Sequence, residues 1–302
     1  FSSSPIAEWK DQVDRYLDAM IKELKATAKL MQGKTLDTVY IGGGTPTTLE
    51  ADQLDRLLGT IRENFDLEHV LEFTVEAGRP DSITREKLEV IRKYPVTRIS
   101  VNPQTMQQTT LDLVGRKHTV EDVEHIFHLA RELGFDNINM DLIAGLPGED
   151  AADMQNTLEK IEKLHPDSLT VHALAIKRAA KFGQEGRTID PGTEITQMVE
   201  DAAACAGRMG LVPYYLYRQK NIAGNFENVG YAGRDKAGVY NILIMEEKQA
   251  ILACGAGAST KRVWNLPDGY HIERCENVKD IKQYIARIDE MIERKKALFE
   301  KD

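Results

Sequence analysis

Cysteine is nearly absent from this chain. Of 302 residues only Cys205, Cys254 and Cys275 carry a thiol. Their spacings of 49 and 21 residues fit no compact metal motif, and an odd, scattered count fits poorly with a disulfide framework. Long apolar runs are missing as well. No stretch approaches the length of a membrane span and no signal-peptide core is visible, so the expected location is cytoplasmic. Excess positive charge is the third absence. Lys and Arg total 39 against 48 Asp and Glu, a net charge of −9. That balance argues against nucleic acid as the main partner, because neutralising phosphates takes clustered cations. What remains is an ordinary globular composition, 42% hydrophobic and 29% charged, in a chain long enough to bury a large core.

What the chain does contain is a bare strand end. Val39, Tyr40 and Ile41 are β-branched or aromatic and follow no helical period, so Asp37 to Ile41 reads as a short buried strand. It runs straight into Gly42, Gly43 and Gly44, then Thr45 and Pro46. Without Cβ atoms these glycines leave backbone N–H and C=O groups open to a small polar ligand. A tight turn with no ligand is the alternative for a lone glycine cluster.

An amphipathic helix is predicted over 5–31, with Pro5 in its first turn and Gly33 behind it. Strands over 37–41, 70–77, 96–101, 137–143 and 168–174 then alternate with helices over 48–65, 84–93, 120–133 and 151–164. Five βα units in a row predict a parallel sheet with right-handed crossovers. Polar or small residues recur at the strand ends: Gly43, Gly44 and Thr45, then Glu76, Gln104, Asp141 and Ala175. Such residues converge in a barrel and spread along an edge in an open sheet. The expected fold is therefore α/β, a partial TIM-like barrel over 1–186. Beyond 186 the rhythm changes. A helix is predicted over 192–209, strands over 214–217, 240–245 and 250–254, a polar Gly/Asn-rich stretch over 219–238 and a terminal helix over 278–299. Residues 187–302 are read as an α+β extension covering the barrel mouth.

Taken in order, these strand ends resemble the radical S-adenosylmethionine enzymes. Within them the chain is similar to the oxygen-independent coproporphyrinogen III oxidase (dehydrogenase) family, HemZ branch. The motifs that carry the likeness are VYIGGGTPT, EFTVEAGRPDSIT, ISVNPQTM followed by LDLVGRKHT, and NMDLIAGLPGE; downstream come YYLYRQKNIAGNFENVGYA and CGAGAS. The likeness spans essentially the whole chain and implies a parallel partial (β/α)6 barrel. It implies that Gly43, Gly44 and Thr45 offer backbone groups to the methionine end of S-adenosylmethionine. Glu76 would accept from the ammonium or hydroxyl donors, Gln104 and Asp141 would meet the ribose, Arg116 would pair with the carboxylate, and Ala175 would leave room for adenine. Without the resemblance, Glu76, Arg116 and Asp141 read equally well as a salt-bridge network on a barrel rim, and Gln104 as a turn former. No catalytic side chain is assigned.

The implied cofactors are a [4Fe–4S] cluster and one or two molecules of S-adenosylmethionine. The family holds its cluster with C-x3-C-x2-C, three thiolates on three irons. This chain has no such motif, so the cluster cysteines and the first barrel strand are expected before Phe1, and the 302 residues alone are expected to be inactive in radical chemistry. The implied reaction uses a 5′-deoxyadenosyl radical to take hydrogen from a propionate β-carbon of coproporphyrinogen III. Loss of CO2 and one electron leaves a vinyl group, twice over, giving protoporphyrinogen IX; an external electron donor is the implied partner. The alternatives on the same scaffold are a haem-binding or haem-trafficking protein and another radical reaction on a tetrapyrrole.

Smaller signals have bland readings beside functional ones. Glu121, Glu124, His125 and His128 lie a turn apart on one helix, a spacing that suits a metal or a solvated face. Lys177, Arg178, Lys181, Arg187, Arg218, Lys220, Lys261 and Arg262 suit propionate recognition or ordinary surface charge. Tyr214, Tyr215 and Tyr217 suit a flat tetrapyrrole or strand packing.

Overall fold

The computed structural model describes residues 12–174, 191–218, 227–267 and 269–301. The chain divides into two compact units. One comprises Phe1–Asp37, Leu49–Leu71 and Glu246–Asp302, the other Thr38–Thr48 and Glu72–Met245.

The second unit holds a seven-stranded sheet. Five parallel strands, β1 (Thr38–Ile41), β2 (Glu72–Gly78), β3 (Arg98–Gln104), β4 (Ile138–Ala144) and β5 (Ser168–Ala173), lie side by side in chain order. That order decides between the two architectures the sequence allows. A doubly wound sheet reverses direction part-way. Here the order never reverses, so crossovers of one hand stack their helices on one face and the sheet curls into a half-barrel. The sheet continues past residue 186. Strand β7 (Glu227–Ala232) pairs antiparallel with β5, and β6 (Val212–Arg218) pairs antiparallel with β7 at the edge.

Alternation along the strands separates two faces. Phe73, Val75, Ile99, Val101, Met140, Leu142, Leu169 and Val171 are at most 1% exposed. They form the apolar face, against which α5 (Val120–Glu132) packs on β3 and α7 (Pro191–Arg208) on β4 and β5. The helices begin where their caps begin. Thr84 accepts from the Lys87 N–H at the start of α3 (Arg85–Arg92). Thr119 and Asp122 form a reciprocal box at the start of α5, and Asp150 and Asp153 do the same for α6 (Ala151–Leu164). Each cap fixes where a strand-end loop stops.

The first unit packs α1 (Val13–Leu30) on α2 (Ala51–Asn64) and closes with a β8 (Ser259–Leu266), β9 (Gly269–Glu276) hairpin and helices α9 (Ile281–Ala286) and α10 (Ile288–Phe299). The single terminal helix expected from the sequence is therefore two, parted at Arg287. Residues 240–245, expected as a strand, lie in α8 (Val239–Glu246), and 250–254 form only an isolated bridge from Ile251 to Lys261. Four adjacent apolar residues, Ile242 to Met245, fit either state. Tertiary contacts decide: the Val239 N–H donates to Glu72 and Tyr240 stacks on Tyr40 at 4.2 Å.

A buried carboxylate ties the first unit together. Glu23 is fully buried and accepts from the Gly255 N–H (2.9 Å), the Tyr284 hydroxyl (2.6 Å), Asn277 Nδ2 (2.8 Å) and Lys295 Nζ (2.8 Å). Lys295, 2% exposed, also reaches the Ala253 carbonyl at 2.7 Å. Helix α1, the CGAG turn, β9's exit and α10 thus share one charge pair. Taking one partner from a buried pair strands the other, at about 3–5 kcal/mol. Lys295→Met should lose that much in urea unfolding, and Glu23→Gln with Lys295→Met should lose less than Lys295→Met alone, since no uncompensated charge then stays buried.

Candidate functional site

The other face of the half-barrel is polar and still buried. Glu72, Thr74, Arg98, Ser100, Asn139, Ser168 and Thr170 are all 4% exposed or less. Parallel pairing sets them in rows, Tyr40 beside Thr74 beside Arg98, then Ser100 beside Asn139 beside Ser168, then Asp141 beside Thr170. Buried polar atoms need partners, and most here find one another. Thr74 donates to Glu72 (2.7 Å), Asn139 Nδ2 to Asp141 (2.6 Å), Thr170 to Asn139 Oδ1 (3.2 Å) and Arg98 to Ser168 (3.3 Å). Tyr215 enters from β6 to pair with Thr170. Its ring lies across Gly230, where a Cβ would come within 1.9 Å of it.

Three buried atoms of β3 on this face have no protein partner: Arg98 Nε, Ser100 Oγ and Asn102 Oδ1. They lie along one strand, leading toward its carboxyl end. Glu76, near the end of β2, accepts from the Tyr40 hydroxyl and from the Gly43 N–H at 3.3 Å. Burial raises its pKa above the ordinary glutamate value and nearby Asp141 adds to the rise, against the opposing pull of the hydrogen bonds and Arg98. The glycine turn is shaped around this carboxylate. A Cβ on Gly42 would fall 2.6 Å from Glu76 Oε2, whereas one on Gly44 would meet nothing within 4 Å. Gly43 has φ +85°, a conformation glycine adopts freely.

Of the residues the sequence points to, Gly43, Gly44, Thr45, Glu76, Gln104 and Asp141 lie at or near the carboxyl ends of β1 to β4. Arg116 sits on the turn before α5, half-buried beside Arg79 and Asp81. Ala175 lies outside the described residues, as do Lys177, Arg178, Lys181, Arg187 and Lys220. Lys261 is buried in the first unit, and Arg262 stacks on Trp264 and donates to the Leu298 carbonyl at 2.9 Å, so both serve that unit's packing. Tyr217 is 42% exposed on the edge strand. Sequence reasoning passed over Tyr40, Arg98, Ser100 and Asn102. The signal was the period-2 run Arg98, Ser100, Asn102, the same alternation that marks Glu72, Thr74 and Glu76.

Residues 7–161 match the radical SAM superfamily. The chain belongs to the radical SAM superfamily. It is 47% identical over 271 residues to the oxygen-independent coproporphyrinogen-III oxidase-like protein HemZ of Bacillus subtilis, covering 87% of this chain and 54% of that protein. It is 31% identical to the heme chaperone HemW of Bacillus subtilis, covering 92% of this chain and 69% of that one. The oxygen-independent coproporphyrinogen III oxidase of Escherichia coli is 27% identical, covering 94% of this chain and 61% of that one. The chain thus spans about half the length of its HemZ relative. The solved structure of Escherichia coli coproporphyrinogen III oxidase, HemN, matches with a TM-score of 0.71 at 24% identity, over 93% of this chain and 63% of that one, and shares the fold.

Radical SAM enzymes use a [4Fe–4S] cluster and S-adenosylmethionine, and the radical SAM site can be tested for both. The inner face carries the Glu76 and Asp141 carboxylates, an unpartnered Ser100 hydroxyl and Asn102 Oδ1, and open space beside Gly44, which suits a ligand bringing an ammonium group and hydroxyls. The cluster finds no ligand set in this sequence. Cys205 is buried, its thiol donating to the Leu158 carbonyl at 3.6 Å, while Cys254 lies in the other unit against Lys295 and Cys275 is on β9. Among the described residues no three His, Cys, Asp or Glu side chains are placed to hold a metal, those at 121, 124, 125 and 128 included.

The raised pKa of Glu76 has a stability consequence with a definite sign. A carboxyl that keeps its proton to higher pH folded than unfolded stabilises below the unfolded value, about 4.5, and that contribution is lost as pH rises through the folded value. Glu76→Gln removes the loss. Its melting temperature should exceed the parent's near neutral pH and converge on it below pH 4.5, read by calorimetry across a pH series.

Proposed function

We propose that this chain binds S-adenosylmethionine on the inner face of its half-barrel and serves the oxidative decarboxylation of coproporphyrinogen III to protoporphyrinogen IX. The observation that carries the reading is the buried polar face, with Ser100 Oγ and Asn102 Oδ1 unpartnered, beside an open glycine turn, in a chain with 47% identity to a coproporphyrinogen-III oxidase-like protein. Glu76 receives the cofactor's ammonium group, whose charge replaces the weaker hydroxyl and amide partners that the carboxylate has without it. Gly43, Gly44 and Thr45 face the methionine end with backbone groups. Asp141 and Gln104 take the ribose hydroxyls, and Arg116 takes the carboxylate as a two-pronged pair. Ala175 is assigned to the adenine by family likeness alone.

Bound S-adenosylmethionine supplies the carbon radical that removes hydrogen from a propionate side chain, and that carbon chemistry belongs to the cofactor. The protein's share is placement and exclusion of water. The Tyr40–Tyr240 stack beside Glu76, and Tyr215 over Thr170, wall the polar face with aromatic surface. Arg98, buried at 3% and near both Glu76 and Tyr215, keeps a cation at the floor of the site.

A haem-carrying role is the second reading, favoured by the likeness to the heme chaperone HemW. Anaerobic reconstitution of this chain joined to a C-x3-C-x2-C segment with iron and sulfide, followed by dithionite, S-adenosylmethionine and coproporphyrinogen III, separates the two. The proposal expects 5′-deoxyadenosine and protoporphyrinogen to appear together; haem binding with no porphyrin product supports the carrier.

The glycine turn gives a sharper expectation. Gly44→Ala should melt with the parent, because its methyl enters open space, yet bind S-adenosylmethionine about tenfold more weakly by calorimetry. Unchanged affinity in Gly44→Ala would remove the glycine turn from the site.

A further inference from the structure

Gln104 has an unusual backbone state, and a buried histidine bonds the carbonyl of the residue before it. Its φ is +71°, in the left-handed region that side chains other than glycine and asparagine seldom adopt. It ends β3 at an irregularity, where pairing with β4 slips between Val101 and Gln104. A strained residue persists when its surroundings over-determine it. On the far side the turn is pinned by Thr105, which donates to Glu149 at 2.5 Å, and by Thr157, which accepts from the Met106 N–H at 3.2 Å. On the near side the Pro103 carbonyl meets His118 Nε2 at 3.3 Å.

His118 is placed for this and little else. Its side chain is wholly buried. A carbonyl only accepts, so Nε2 carries the proton, and burial pulls the imidazole below its ordinary pKa, which keeps it neutral. Nδ1 has no hydrogen-bond partner; Asp81 Oδ1 stands 3.7 Å away and is itself held by two bonds from Arg79 at 3.0 and 2.6 Å. His118 also lies two residues beyond Arg116 on the same turn. One ring therefore links the Arg116 turn and the end of β3.

We propose that His118 is a positioning residue, which locks Gln104 in its left-handed turn and in register with Arg116, so that the two grip opposite ends of one ligand. This rests on the S-adenosylmethionine reading of the strand ends. It assigns His118 no contact with the cofactor.

The test is a double-mutant cycle read by calorimetric titration of S-adenosylhomocysteine into this chain joined to a C-x3-C-x2-C segment and loaded with the cluster. His118→Leu fills the cavity without a donor, and Gln104→Ala removes the side chain it serves. Each should weaken binding about tenfold, and the double variant should also lose about tenfold rather than a hundredfold, because the same grip is lost once. His118→Gln, which keeps a donor within reach of the Pro103 carbonyl, should return affinity to within about threefold of the parent. If His118→Leu does not fold, His118→Asn, whose amide falls short of the carbonyl, takes its place in the cycle. Additive losses, or unchanged affinity in the Leu or Asn variant, overturn the positioning role and leave the cofactor reading standing. A parent protein that binds no S-adenosylhomocysteine overturns both.

Discussion

The half-barrel depends on a sheet that is buried on both faces but apolar on only one. Helices cover the Val, Ile, Leu and Phe face by ordinary hydrophobic burial. The opposite face buries Glu72, Arg98, Asn139 and Thr170 with comparable completeness, so each must be hydrogen-bonded or leave a cost unmet. Most of the network closes on itself. It fails to close along β3, at Arg98 Nε, Ser100 Oγ and Asn102 Oδ1, on the strand that ends in a left-handed glutamine. Evolution tolerates unmet polar groups chiefly where something else meets them.

Three backbone features hold that surface open. Gly42 must lack a side chain because Glu76 occupies the space, and Gly230 because Tyr215 crosses it. Gly44 is different, since nothing in the protein fills the volume beside it. The Glu23–Lys295 network does unrelated work in the other compact unit, where one buried pair joins α1, the hairpin and the terminal helix.

Much of this was legible in the sequence, and for physical reasons. Five βα units in chain order leave few topologies, and Glu72-Phe73-Thr74-Val75-Glu76 states its two faces outright. The strand-end positions of Gly43, Glu76 and Asp141 followed from placing the strands. Residues 240–245 misled because a short apolar run carries no period, and Glu72 and Tyr40, far away in sequence, decide its state. The β8–β9 hairpin was passed over although Pro267-Asp268-Gly269 spells a turn. His118 carries no signal in the sequence, because its burial and its bond to the Pro103 carbonyl exist only once the chain has folded.

The central claim is that the polar strand ends, taken together, are the cofactor surface. Hydrogen exchange of this chain, joined to a C-x3-C-x2-C segment and loaded with the cluster, with and without S-adenosylmethionine addresses it segment by segment. The account predicts slowed exchange confined to the amides of residues 42–45, 76–79, 102–106 and 114–118, with the Glu23 network unchanged. Tight binding that leaves those four segments unprotected would contradict it.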